Sequence, residues 1–368
     1  VTEPLNVALS VDALSPRLTG IGRYCLEMVR GVPAVQGVGD VHFFRGAHWL
    51  DDPEALLTDG WAPPRRSRIG RWLEQRRNRR RQHGSVVHGP NFFLPDWADQ
   101  GVITVHDLSV LLYPETHPVE RVRAFERQFQ SSIDRASAII TDSEAVRSEI
   151  ITMLGVPGDR VTAIPLGVSL ADTPVEPTLL RQVGLAPGSY SLCVSTFEPR
   201  KRIDALVMAY GLLDPALRKA QPLVLVGASG WRNEQLNERI DKAMAEGWVM
   251  RLDFVSDQLL NSLYAGSNLF IYPSRYEGFG LPPIEAMWHG VPTIVGDAAA
   301  LMEVTKGAAR VCNVDDIESF STMLADSLEN SSWRYAAGLS GKDVARSYRW
   351  HDCINATVDV YRGVRTTI

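Results

Sequence analysis

Two glutamates, Glu277 and Glu285, stand eight positions apart within Tyr272–Pro292, with Gly278, Gly280, Pro282 and Pro283 between them. Glycines let a backbone come close to a ligand, and prolines suit the first turn of a helix. The segment predicts a glycine loop at a helix N-terminus, where amides and the helix dipole favour a phosphate. Carboxylates are poor phosphate partners but good acceptors for sugar hydroxyls. One glutamate for each sugar of a nucleotide-sugar is therefore a sensible division; a glycine-rich turn with two solvated glutamates is the plain alternative. A second segment, Ser195–Ile203, sets Arg200 and Lys201 side by side after an apolar run. Adjacent cations at a strand-to-helix turn suit a diphosphate leaving group, which gathers negative charge as its bond breaks. A solvated charge pair is the alternative there. His106 and Asp107 close a third apolar run; taken alone, a histidine at a strand end is more often structural than catalytic.

These residues need strands and helices to hold them. Short apolar runs bounded by turn residues read as buried parallel strands at Asn6–Val11, Val41–Phe44, Ser85–His88, Val102–His106, Ala138–Thr141 and Val161–Ile164. Helical patterns fall between them, and Asp142–Ser143–Glu144 reads as a helix start. Pro165–Pro177 lacks periodicity and reads as a linker. The alternation resumes with strands at Ser191–Ser195, Leu223–Val226, Val249–Phe254, Asn268–Tyr272 and Thr293–Val295. Strand–helix alternation predicts a doubly wound parallel sheet in each half, with ligands at the carboxyl ends of the strands.

Composition narrows the classes. The chain has 368 residues, 45% hydrophobic and 22% charged, which excludes disorder and suits two domains. A net charge of -5 gives no whole-protein basic field for nucleic acid. The four cysteines form no CxxC pair, which points to a reducing, cytoplasmic setting. No run approaches the roughly 18 apolar residues of a spanning helix, and no signal peptide is visible. Arg65–Arg81 holds nine arginines and one acid, with Trp61 and Trp72 near. It reads as a solvated face or as a patch for an anionic membrane surface. No metal-ligand motif is present.

With its flanks Tyr272–Pro273–Ser274, Glu285–Ala286–Met287 and Gly290–Val291–Pro292, the first segment resembles the E-x7-E region of the family-4 retaining glycosyltransferases. The resemblance implies the GT-B fold: α/β, two doubly wound Rossmann-like domains facing across a cleft. It implies an acceptor-binding domain over 1–168 plus a terminal helix at about 350–368, and a nucleotide-sugar domain over 169–349. It places Glu277 near the transferred sugar and Glu285 on the nucleotide ribose, with Gly278, Phe279, Gly280 and Leu281 against the donor. Arg200 and Lys201 become the diphosphate clamp, although Ser195 and Thr196 stand where many members carry a further arginine. His106 becomes a sugar contact, and Asp107 its orienter or an acceptor contact. Thr19–Arg23, with Gly20 and Gly22, resembles the family's glycine-rich loop over the donor phosphates. Gly227, which opens Gly227–Trp231, resembles a nucleotide-side turn, and Val255 and Leu260 a base-side turn. His88–Asn91 resembles the subgroup that includes bacterial mannosyl- and rhamnosyltransferases.

The function so implied is a retaining hexosyltransferase that needs neither metal nor cofactor. Its donor would be a GDP-sugar, GDP-mannose or a GDP-6-deoxyhexose such as GDP-rhamnose. Its acceptor would be a growing, lipid-linked bacterial glycan such as O-antigen, met in the cytoplasm or on the inner face of the membrane. UDP- or dTDP-sugars with a soluble acceptor stay open, as does a catalytically silent module that binds a nucleotide-sugar.

Overall fold

A computed structural model of the chain describes residues 4–62, 76, 78, 84–168, 175–228 and 234–365. It contains two compact units. The described parts of Val1–Leu108, Glu120–Gly167 and Arg349–Ile368 form the first; those of Val168–Tyr348, with Ser109–Val119, form the second.

The first unit is built on seven strands: β1 (Leu5–Ser10), β2 (Val38–Arg45), β3 (His48–Leu50), β4 (Ser85–Gly89), β5 (Gly101–Val105), β6 (Ala136–Thr141) and β7 (Val161–Ala163). Their order is β3-β2-β1-β4-β5-β6-β7. Every pairing is parallel except β2–β3, an antiparallel hairpin at the edge. All five residues of β5 are buried, as a strand covered on both faces requires. The chain runs from β1 outward to β2 and returns on the other side to β4, so the β1–β4 boundary is a topological switch point. The helix Gly20–Gly31 follows β1, and Trp350–Arg365 closes the unit.

The second unit repeats the plan with six strands: β8 (Ser191–Val194), β9 (Leu223–Val226), β10 (Val249–Leu252), β11 (Leu269–Tyr272), β12 (Thr293–Gly296) and β13 (Arg310–Cys312). The order is β10-β9-β8-β11-β12-β13, all parallel. The central strands β9, β11 and β12 are buried along their whole length. One face packs on Phe197, Leu206, Tyr210, Ile240 and Phe320; the other on Tyr190, Leu263, Tyr264 and Leu301. Here the switch point lies between β8 and β11.

The helix Leu281–Trp288 is set by glycines of its neighbour, Ser331–Arg346. A Cβ on Gly338 would stand 2.4 Å from the Gly290 carbonyl oxygen, and one on Gly341 would stand 3.1 Å from Met287 Cγ. All four cysteines are buried and unpaired, consistent with apolar packing. Among the described residues no helix is long and apolar enough to cross a membrane. The Arg65–Arg81 run lies outside the described residues except for Arg76 and Asn78, as do residues 229–231 of the Gly227–Trp231 segment.

Candidate active site

In the second unit the two motifs of opposite charge leave neighbouring strands at the switch point. Strand β8 ends in the turn that carries Glu198, Arg200 and Lys201; β11 ends in the loop that carries Glu277. The turn and the loop are stitched together by backbone. The Arg275 N–H donates to the Arg200 carbonyl at 3.0 Å, and the Ser274 hydroxyl reaches the same oxygen at 3.4 Å. Arg202, just after the cations, takes a left-handed φ of +52°. Its side chain is held by Asp315, which also grips Arg275.

Four charged side chains then meet in the interior. The Lys201 ammonium donates to Glu277 Oε1 and, at 3.1 Å, to the Tyr272 hydroxyl. Arg200 lies 3.5 Å from Glu277 Oε2 and 3.2 Å from Glu198 Oε2, and donates to the Tyr276 carbonyl at 3.1 Å. None of the four side chains is more than 12% exposed. Two acids and two bases balance, which makes burial tolerable. Burial works to raise the Glu277 pKa, but Lys201 and Arg200 outweigh it and hold the carboxyl below its ordinary range. Burial and the neighbouring Arg200 push Lys201 down, with Glu277 offsetting only part of that. Burial and Glu277 together push the Tyr272 phenol well up.

Glu285 sits one turn into the helix Leu281–Trp288 and accepts from the Tyr264 hydroxyl at 2.8 Å. Burial, then Glu285, raise that phenol far above its usual pKa, so it stays a donor. Gly280 precedes the helix with φ +103°, a conformation suited to glycine, and no side chain caps the helix. Pro282 and Pro283 carry no N–H, so the first turn offers amides only from Leu281 and Ile284. That is a sparser phosphate cradle than an ordinary helix start. Phe279 is buried edge-on against Tyr348, with ring centres 5.4 Å apart. Gly227 follows β9 with φ +147°, and a Cβ there would stand 1.9 Å from the Ser195 carbonyl oxygen, so only glycine fits. Val255 and Leu260 are half-buried against the cluster of Leu263, Tyr264 and Tyr272.

In the first unit the glycine segment differs from the expected loop. Gly20 and Gly22 form the first turn of the helix Gly20–Gly31, which Thr19 caps by accepting from the Gly22 N–H at 3.2 Å. Gly22 is small because a Cβ would meet the Ala13 carbonyl oxygen at 3.0 Å. His106, just past β5, is 6% exposed. Its Nε2 donates to the Pro90 carbonyl at 2.9 Å, and its Nδ1 faces Asp142 Oδ2 at 2.8 Å. Both ring nitrogens are thus engaged within the unit, so the ring as it stands offers a sugar no free nitrogen. Around it runs a buried chain. The Tyr361 hydroxyl meets His88 Nδ1 at 2.6 Å, His88 Nε2 meets Thr104 Oγ1 at 2.9 Å, and Thr104 meets the Tyr24 hydroxyl at 3.0 Å.

Among these residues, Glu198, Asp142, Tyr264 and Tyr272 touch the predicted site residues without being singled out as functional in sequence. Glu198 stands two positions before Arg200, across Pro199, and an acid that near the basic pair is the available signal. Asp142 belongs to the predicted helix start, but Ser143 supplies the cap and frees Asp142 to turn inward. Tyr264 and Tyr272 look like core aromatics from their neighbours alone.

Comparison with known proteins fits this arrangement. Residues 181–342 match the family described as glycosyl transferases group 1, and 18–172 match glycosyltransferase family 4. The chain is 34% identical to O-antigen chain mannosyltransferase B of Escherichia coli, over 97% of this chain and 100% of that one. Its backbone is similar to sucrose-phosphate synthase from Thermosynechococcus elongatus, with TM-score 0.73 and 19% identity over 99% of this chain and 100% of that one. It is equally similar to WaaG, a glycosyltransferase involved in lipopolysaccharide biosynthesis, with TM-score 0.73 and 17% identity over 97% and 100%. The chain is a glycosyltransferase of the GT-B fold and belongs to the group 1 and family 4 glycosyltransferases.

Proposed function

We propose that the enzyme transfers mannose, or a 6-deoxyhexose such as rhamnose, from a GDP-sugar to a hydroxyl of a growing lipid-linked bacterial glycan. Anomeric configuration is retained and no metal is used. The observation that carries the sugar and the acceptor class is the full-length similarity to an O-antigen chain mannosyltransferase. In this reading the second unit binds the donor and the first the acceptor. Glu285 holds the ribose, Glu277 lies by the transferred sugar, and Gly278–Leu281, Gly227, Val255 and Leu260 line the nucleotide. On the first unit, Gly20, Gly22 and the strand end at His106 serve the donor phosphates and the sugar.

The charge cluster suggests how the reaction proceeds. As the anomeric bond lengthens, positive charge grows on the sugar ring and negative charge on the departing diphosphate. Arg200 and Lys201 supply the cations that stabilise the diphosphate, a role a metal ion fills in other transferases. They are already fixed by Glu198 and Glu277, so little reorganisation accompanies the charge movement. The acceptor hydroxyl attacks on the face the diphosphate leaves, and its proton passes to a departing phosphate oxygen. The Arg65–Arg81 run, with nine arginines against one acid, is the segment we assign to an anionic membrane surface.

The first test is a thermal melt with GDP, UDP, dTDP and ADP at equal concentration. A ligand at 100 times its Kd stabilises by about 2.7 kcal/mol. The expected result is a GDP-selective shift lost in Glu285→Ala, followed by transfer from GDP-mannose giving an α-linked product. A UDP- or dTDP-selective shift overturns the donor, and an inverted product overturns the mechanism. Anionic vesicles that retain a variant with Gln in place of the Arg65–Arg81 arginines would remove the membrane assignment.

A further inference from the structure

Asp142 is the buried acid of the first unit that the proposed chemistry does not use. It is 3% exposed, and Oδ2 lies 2.8 Å from His106 Nδ1. Oδ1 has no hydrogen-bond partner among the described residues. On the other side of the ring, Nε2 lies 2.9 Å from the Pro90 carbonyl. A carbonyl only accepts, so Nε2 must carry a hydrogen. Nδ1 then faces a carboxylate across a distance proper to a charge-assisted bond. Tyr24 and Phe92 close the ring edge-on, at 5.1 Å and 5.8 Å between centres and 81° between planes in both cases.

We infer that Asp142 is a positioning residue: it holds His106 as a doubly protonated ring pinned at both nitrogens, so that the ring braces the end of β5 and cannot serve as a proton acceptor. The inference deepens the reading above, in which that strand end meets the transferred sugar. The surrounding groups agree. The titratable neighbours are Tyr24 on Gly20–Gly31, His88 on β4, Asp107 beside His106, and Cys353 and Tyr361 on Trp350–Arg365. Burial raises the pKa of both phenols and of the thiol, which stay neutral. Burial, and then His106, push His88 down to about 3, so it too is neutral. None of these neighbours competes with His106 for Asp142; burial raises the Asp142 pKa, and the His106 charge and bond oppose that rise. Burial alone would lower that ring's pKa, but the Asp142 charge and bond, the Pro90 carbonyl and Asp107 raise it. Acceptor deprotonation must then fall to another group, in keeping with a leaving phosphate oxygen.

The test uses the whole enzyme. Nitrogen-15 NMR of histidine-labelled protein at neutral pH should show both His106 nitrogens protonated, and in Asp142→Asn a neutral ring. Donor kinetics should show kcat lowered by about 10- to 100-fold in Asp142→Asn, the worth of one charge-assisted bond, with KM little changed. Asp142→Glu should recover part of kcat. In a His106→Ala background, Asp142→Asn should have no further effect. A neutral His106 in the unaltered enzyme overturns the inference even if no variant folds. So does an Asp142→Asn enzyme with full kcat beside a crippled His106→Ala enzyme. A His106→Ala enzyme with full kcat instead overturns the sugar-contact reading on which the inference rests.

Discussion

The buried His88 makes a quantitative prediction about acid. It sits on β4 between the Tyr361 hydroxyl and Thr104, and burial lowers its pKa from 6.5 to about 3. Between those values the unfolded chain binds a proton that the folded chain does not. Stability therefore rises with pH across that window: it is fully present above about 6.5 and is lost as pH falls toward 3. The slope is about 1.4 kcal/mol per pH unit, so the first two units below 6.5 remove about 2.7 kcal/mol. For a unit of this size that lowers Tm by about 5–11 °C. His88→Gln keeps a polar group but cannot titrate. It should cost about 1–2 kcal/mol at pH 7 through the lost hydrogen bond to Tyr361 or Thr104. The difference between the two proteins should then shrink, and reverse, as pH falls to 4.5. Calorimetry at half-unit steps resolves this, read on the transition of the first unit because two units need not melt together. A difference that stays constant between pH 7 and 4.5 would refute the reasoning.

Other outcomes follow from the second unit. Gly227→Ala should destabilise by about 3 kcal/mol or more, because its Cβ strikes backbone at Ser195. Gly280→Ala should cost about 1–2 kcal/mol, since φ +103° is strained but the nearest atom, Leu301 Cδ2 at 2.5 Å, can move. Melting curves that rank these two the other way would contradict the packing. Tyr264→Phe removes the donor to Glu285 and should weaken nucleotide binding by about 5- to 10-fold, or about 1 kcal/mol, with the fold intact by melting. Because burial and Arg200 lower the Lys201 pKa, donor affinity should decline with rising pH before the ordinary lysine range. Lys201→Arg, permanently charged, should lose that alkaline limb in titrations of donor binding.

Much of the fold was legible because buried parallel strands write themselves as continuous apolar runs. β5, β9 and β11 were all readable in this way. The edge strand β3 and the last strand β13 have three residues each, too short for any period to show. Gly20–Gly31 opens on two glycines that disfavour helix, yet its Thr19 cap and apolar face prevail. At the site, residue types and spacing single out Arg200, Lys201, Glu277 and Glu285, and the elements around one sheet carry all four, with Arg200, Lys201 and Glu277 in contact. Sequence could not show that Lys201 and Glu277, 76 positions apart, neutralise each other. Nor could it show that His106 spends both nitrogens inside its own unit. Such facts belong to pairings that exist only once the sheet has closed.

The first unit draws on three stretches of chain, and its Tyr361–His88 bond spans 273 positions. A ribosome makes that helix after every other described element of the two units. While the chain is being made, β4 and β5 must wait with His88 and Thr104 lacking their final cover, whereas every segment of the second unit has already been synthesised. Synthesis order thus reverses the usual sequence in which the N-terminal domain completes itself first. A nascent chain stalled before Trp350 should present a finished second unit and an unfinished first, the form on which chaperones would act.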